Sequence, residues 1–201
     1  MAEFEAMNSL VTHFHAEKLA YTGEELRPHF LLRKFGLKGS TVAAFRGPAI
    51  VQTEHLVDWE DRIVNDRIEA KEMVHFLGEF FGAGLREGVF FQRLFMSGLG
   101  ELLNERLRAQ ESPDFLVRRG DDLFVRDKKL SVSIVTASPV SVLLHAGINV
   151  DSTGAPVAAI GLAELGFNSE QISEWARCAL TQFAGEWSDV DWACAKVRPV
   201  V

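Results

Sequence analysis

Between residues 115 and 150 the apolar side chains fall into short runs cut by turn residues. Residues 123–125, 130–135 and 140–144 are separated by Arg126-Asp127-Lys128 and by Ser138-Pro139. Runs joined so tightly leave no room for crossover helices and must pair antiparallel. The stretch predicts a meander, and residues 157–160, after Gly154, form a further short run that returns to the sheet. Elsewhere the period is helical. Met73, Val74, Leu77, Phe80 and Phe81 recur at i, i+1, i+4, i+7 and i+8, which predicts an amphipathic helix over 69–81. A second apolar stripe covers 85–107, where Gly98 and Gly100 predict a kink or two shorter helices. Asn168 and Gln171 have capping-box spacing ahead of Ile172, Trp175, Ala176, Ala179, Leu180, Phe183 and Trp187, the core face of a last helix. Pro28 and Gly36 bracket a short helix. Residues 41–45 read as a buried strand that stops at Gly47-Pro48 and resumes over 49–53. Strands clustered apart from helices define an α+β protein, helices packed on a mainly antiparallel sheet.

A chain of 201 residues fits one domain over 1–201, with residues 1–12 expected to be disordered. The net charge of −7 and pI near 5.4 make nucleic acid a poor partner. No apolar run reaches the ~18–20 residues of a membrane span, and the first 20 residues lack a basic start and an apolar stretch. Cys178 and Cys194 match neither zinc nor redox spacing and are expected as small buried side chains in a reducing compartment, which places the chain in the cytoplasm.

Three constellations carry chemistry. Arg119-Gly120-Asp121-Asp122-Leu123, Lys128-Lys129-Leu130-Ser131 and His145-Ala146-Gly147-Ile148-Asn149-Val150 meet at one side of a meander. There Lys129 is placed to neutralise a phosphate or a developing acyl oxyanion, and an Asp to hold magnesium. The same Gly, Asp and Asn are also ordinary turn residues. Glu54, His55, Asp58, Glu60 and Asp61 form the second group. On a helix, His55, Asp58 and Asp61 share a face, and carboxylates with an imidazole suit a divalent metal, although acids at a helix start are equally a solvated N-terminus. In the third, Arg27-Pro28-His29 sets a cation and an imidazole at a helix start, an anion site. His75 is expected to be a satisfied core histidine on the 69–81 helix, and Gln92-Arg93 to pair with acids of 54–61.

Asp121-Asp122-Leu123, Lys129 six positions on, Leu130, and Gly147-Ile148-Asn149-Val150 resemble the biotin and lipoate protein ligase superfamily. In those enzymes an Asn-Asp-hydrophobic turn precedes a lysine-hydrophobic-small-Gly strand, and the biotin branch carries a later Gly-Ile-Asn strand end. The resemblance implies the α+β fold shared with class II aminoacyl-tRNA synthetases, ATP and magnesium as cofactors, and a small carboxylic acid as substrate. It implies that Lys129 and Asp122 are catalytic, the lysine touching the acyl carbonyl and phosphate of an acyl-adenylate. Asp121, Arg119, Arg27, His29, Arg46, Gly147 and Asn149 are then the candidate nucleotide- or substrate-binding residues. Asp121 stands in place of the usual Asn and Val132 in place of a Gly. A Gly-Arg phosphate loop is missing from the first half, Arg46-Gly47-Pro48 being its nearest substitute.

The whole chain, from about residue 15 to 190, resembles the uncharacterised family DUF366. The segments that carry this likeness include Leu26-Arg27-Pro28-His29-Phe30, Phe45-Arg46-Gly47-Pro48, Glu54-His55-Leu56-Val57-Asp58-Trp59, Met73-Val74-His75-Phe76 and Gln92-Arg93-Leu94. Three functions stay open: an ATP- and magnesium-dependent adenylate-forming ligase or acyltransferase, a non-catalytic ligand-binding module on a ligase-like fold, and a metal-assisted hydrolase using the 54–61 segment. A homodimer through an exposed strand edge is expected.

Overall fold

The computed structural model describes residues 9–200. A five-stranded sheet runs in the order β1 (Val11–Phe14), β2 (Thr41–Val51), β3 (Ile68–Phe80), β8 (Val142–Asp151), β7 (Ser131–Ala137), and a small second sheet pairs β4 (Leu116–Arg119), β5 (Asp122–Val125) and β6 (Lys128–Lys129). β1 pairs parallel with β2, and the other neighbours in both sheets are antiparallel. The helices are α1 (Phe30–Phe35), α2 (Trp59–Ile63), α3 (Leu85–Ala109) and α4 (Ser169–Ala195). The α+β class stands, and among the described residues no helix is long and apolar enough to cross a membrane.

Residues 69–81 form no helix. Residues up to Phe80 belong to the central strand β3, paired on both sides over Met73–Glu79. Every residue from 73 to 80 is buried, because elements cover both faces of the sheet. A strand buried on both faces shows a near-continuous apolar run, and such a run contains helix-spaced positions by default. Strand period sorts it into two faces. Val74, Phe76 and Phe80 join Val42, Ala44, Leu144, Ala146 and Ile148 in one apolar cluster with Phe95, Leu99 and Leu103 of α3 and Trp175, Ala179 and Phe183 of α4. Met73, His75 and Leu77 turn the other way.

α3 is one unbroken helix of 25 residues. A Cβ on Gly100 would lie 3.1 Å from Leu123 Cδ2, so this glycine lets β5 approach the helix rather than bending it. Gly36 ends α1 at φ 72°, a conformation that favours glycine. The capping box at α4 is formed in both directions, Gln171 N–H to Asn168 Oδ1 and Asn168 N–H to Gln171 Oε1, each 2.9 Å. Cys178 and Cys194 are exposed, contrary to expectation, since Cys178 lies off the stripe that α4 buries. The expected disorder over 1–12 fails at Val11 and Thr12, which pair with β2; residues 1–8 lie outside the described part. The expected meander is divided between the two sheets. Residues 157–160 add only a parallel bridge, Ala159 against Lys129.

Candidate functional site

On the face opposite α3 and α4, a cavity of about 250 Å³ opens between the sheet, the 56–70 segment and the β4–β5 turn. Its floor is Met73, Val132, Ile134 and His145, and Lys129, Asp122 and Asn149 stand toward one end. Strand period builds this floor: Ile134 pairs with His145 and Val132 with Gly147 across β7 and β8, and Met73 pairs with Asn149 across β3 and β8. Gly147 itself serves by lacking a side chain. A Cβ there would lie 2.7 Å from Met73 Cε and 3.3 Å from Val132 Cγ2, so the methionine occupies that space.

Lys129 is fixed by its main chain. Its N–H donates to Ala158 O at 2.9 Å, its carbonyl accepts from Ile160 N–H at 3.1 Å, and Asn149 Nδ2 donates to the same carbonyl at 3.3 Å. The ammonium lies 2.8 Å from Asp122 Oδ2, with the lysine side chain 33% and the aspartate 15% exposed. Ser131 Oγ donates to Asp122 Oδ1 at 3.1 Å and accepts from Leu123 N–H at 2.8 Å. Burial pushes the Asp122 carboxyl up from its ordinary range, and Lys129 only partly offsets this. Asp61 is pushed up as well, by burial first and then by Asp58 and Asp66, with Lys129 again opposing. Asp58, Asp61, Asp66, Glu69, Asp121 and Asp122 line the cavity against only Arg67 and Lys129 as permanent cations. The site is acidic.

Of the sequence-derived residues, Lys129, Asp122, Asp121, Asn149, Asp58 and Asp61 reach the cavity. Asp121 does so tethered to α3, 3.4 Å from Gln92 Nε2 and 3.7 Å from Arg93; Gln92 and Arg93 therefore engage this turn and not the 54–61 acids. The other candidates go elsewhere. Arg46-Gly47-Pro48 is no loop but the middle of β2. The Arg46 guanidinium faces α4, 2.9 Å from Glu72 and 2.7 Å from Ser169 Oγ. Arg119 stays on the small sheet, bonded to Arg126 O at 3.1 Å. At the start of α1 the anion is already internal: Glu79 accepts from His29 N–H at 2.9 and 3.0 Å, while Arg27 lies over the Phe30 ring. Glu54 and His55 belong to a separate 3₁₀ turn, Thr53–His55. Asp58 caps α2, accepting from Glu60 N–H at 2.8 Å, so the expected single helical face does not exist. No group of three or more His, Cys, Asp or Glu among the described residues is placed to hold a metal.

His145 is the floor residue that sequence reasoning left without a role. Its Nε2 lies 3.1 Å from His75 Nδ1, and His75 Nε2 lies 3.2 Å from Gly47 O. Burial lowers both imidazoles, His75 to about 4, and keeps them neutral near pH 7. A carbonyl oxygen only accepts, so His75 carries its proton on Nε2. His75 Nδ1 must then accept from His145 Nε2–H, which leaves His145 Nδ1 as a bare acceptor. The Tyr21 ring stacks on His145 at 3.7 Å and 8°. The signal was in the sequence: His145, Gly147 and Asn149 alternate along one strand face.

The architecture is the fold of the biotin and lipoate protein ligases. Biotin protein ligase from Aquifex aeolicus in complex with biotin and ATP superposes with a TM-score of 0.53 at 13% identity, over 88% of this chain and 72% of that one. A P. falciparum protein in complex with lipoate gives 0.51 at 11% identity, over 89% and 63%. At such identities the likeness is one of fold. The chain belongs to the family DUF366, a domain of unknown function, whose pattern matches residues 10–198. A protein of unknown function from Pyrococcus horikoshi is similar at 34% identity and a TM-score of 0.86, covering 96% of this chain and 100% of that one. An uncharacterised protein of Methanocaldococcus jannaschii is 29% identical over 193 residues, 94% of this chain and 84% of its own.

Proposed function

We propose that the protein binds a small carboxylic acid in this cavity, with the carboxyl group at Lys129, and holds it there as a binding module on a ligase fold. The observation that carries this reading is the Lys129 ammonium itself, clamped by its main chain and turned into the cavity beside a carboxylate that burial disfavours as an anion. An incoming carboxylate would displace Asp122 from the ammonium at low cost, because Asp122 takes up a proton more readily than an ordinary aspartate. Solved proteins of this fold carry biotin and lipoate, both small carboxylic acids.

A second reading, that the bound acid is activated with ATP and magnesium or its acyl group transferred, is favoured by the ATP in the Aquifex aeolicus complex and by the pairing of Lys129 with Asp122. In that reading Lys129 stabilises negative charge on the acyl oxygen and Asp122 positions the lysine. The cavity does not fit a free triphosphate. Its carboxylates outnumber its cations, and Arg46, Arg119 and Arg27 are held outside it, so its lining offers no cation cluster for the phosphates. Under either reading the chain acts as one domain over 1–201 in the cytoplasm, without nucleic acid or membrane as partner. A second copy would pair along the edge strand β1 or β7.

Isothermal titration of the full chain with octanoate, biotin and lipoate, each with and without ATP and magnesium, tests the proposal. Binding of at least one acid without nucleotide, weakened about tenfold or more by Lys129→Ala, is the expected result. No binding, or equal binding by the variant, contradicts it. Release of pyrophosphate on mixing acid, ATP and magnesium establishes the second reading instead.

A further inference from the structure

The cavity has a second polar end. His145 lies four residues from Asn149 on β8, about 13 Å along the strand at roughly 3.3 Å per residue. Between these positions lie Gly147 and its partner Val132, with the Met73 methyl over Gly147, and Ile134 sits beside His145, so the floor is apolar. His145 is 1% exposed, and its Nδ1 has no hydrogen-bond partner among the described residues. The fully enclosed polar atoms without a partner are His13 Nε2 and Trp175 Nε1; His145 Nδ1 is instead an open acceptor on a residue that lines the cavity, and a ligand donor can fill it. Its tautomer is not free to change. Gly47 O demands the proton of His75 Nε2, and the chain of bonds then makes His145 Nδ1 an acceptor only. The charge of the walls agrees in sign, since the acids around the cavity disfavour a ligand that is purely anionic and favour one carrying a positive group as well.

We propose that the cavity takes an amino-substituted carboxylic acid, its carboxylate on Lys129 and an amine N–H donated to His145 Nδ1 at the far end of an apolar spacer. This deepens the carboxylic-acid reading and rests on it. His145 is then a specificity residue that separates an amino acid of this shape from a plain fatty acid. His75 acts through His145 as a positioning residue that fixes its tautomer.

The test compares octanoate with 8-aminooctanoate by isothermal titration on the full chain. Wild-type protein is expected to bind the amino acid about tenfold more tightly, the size of one charge-assisted hydrogen bond. His145→Phe removes the acceptor while keeping a ring under Tyr21, and is expected to abolish this preference while octanoate binding persists. Lys129→Ala weakens both. Equal or tighter binding of octanoate by the wild type overturns the inference and leaves the carboxylic-acid reading standing. A preference that survives in His145→Phe also overturns it, since the acidic walls alone would then explain it. If neither compound binds, the inference fails, and the carboxylic-acid reading is then decided by the titrations with biotin and lipoate. Nitrogen-15 NMR of the histidine side chains reads the tautomer without any variant: a bare Nδ1 and a protonated Nε2 on His145 are expected, and the opposite tautomer contradicts the proposal.

Discussion

The two faces of the five-stranded sheet are made by the same strands and differ in almost everything else. Toward α3 and α4, β3 presents Val74, Phe76 and Phe80, and Phe76 meets Phe95 and Trp175 edge-on at 5.1 and 5.7 Å. That face is apolar and closely packed. On the other face Met73 of β3 and His145 and Asn149 of β8 line a cavity, while His75 is buried behind His145 and Leu77 packs with Tyr21, Leu31 and Phe45. The first face is covered by the two long helices; the second combines a smaller apolar cluster around Tyr21, Leu31 and Phe45 with the bonded pair His75 and His145. A chain that needed only to fold would fill both faces alike. The polar residues on the second face are the ones on which the proposed ligand site rests.

The largest way to break this contrast is on the dry face. Phe76→Ala is expected to cost about 3–5 kcal/mol in chemical denaturation and to leave ligand affinity of the folded fraction unchanged. A change in affinity would mean that the faces are coupled. Next comes acid. The unfolded chain protonates His75 near 6.5, whereas the folded protein does so only at about 4. The stability that this histidine confers above pH 6.5 is therefore lost as pH falls from 6.5 toward 4, about 3 kcal/mol from His75 alone. His75→Phe should flatten that part of a stability–pH curve, and a curve that stays as steep argues against a buried neutral pair. Lys129→Ala is smaller. It leaves Asp122 without its cation and is expected to cost about 1–2 kcal/mol, the lysine being partly solvated, while the Asp122 carboxyl titrates still higher by NMR. Smallest is Asn168→Ala, which removes the α4 cap for about 1 kcal/mol and should not alter binding.

The same contrast explains which parts of the structure could be read from the residues. The meander strands, the α1 stop at Gly36 and the Asn168 cap rest on local chemistry, and local chemistry is written in consecutive residues. The site pair Lys129 and Asp122 was accessible because both lie on one hairpin, β5–β6. β3 reads as a helix because burial from both sides erases the alternation that marks a strand. That reading puts His75 on a helix and hides its bond to His145, 70 positions away. Arg46, Arg27 and Arg119 are cations of the expected type, but each is claimed by a partner that only the assembled fold supplies: Glu72, the Phe30 ring and the Arg126 carbonyl; at His29 the main-chain N–H is taken by Glu79. Composition gives the number of cations in a chain. It does not give which of them remain available to a ligand.

The central claim is that the cavity beside Lys129 is where a carboxylic acid binds. A nitrogen-15 NMR titration of the full chain with octanoate tests it most directly. Saturable shifts at the amides of Lys129, Ser131 and Asn149, absent in Lys129→Ala, are the predicted result. Shifts confined to the groove between α3 and α4, lined by Gly98 and Gln182, or no shift with octanoate, biotin or lipoate, would contradict it.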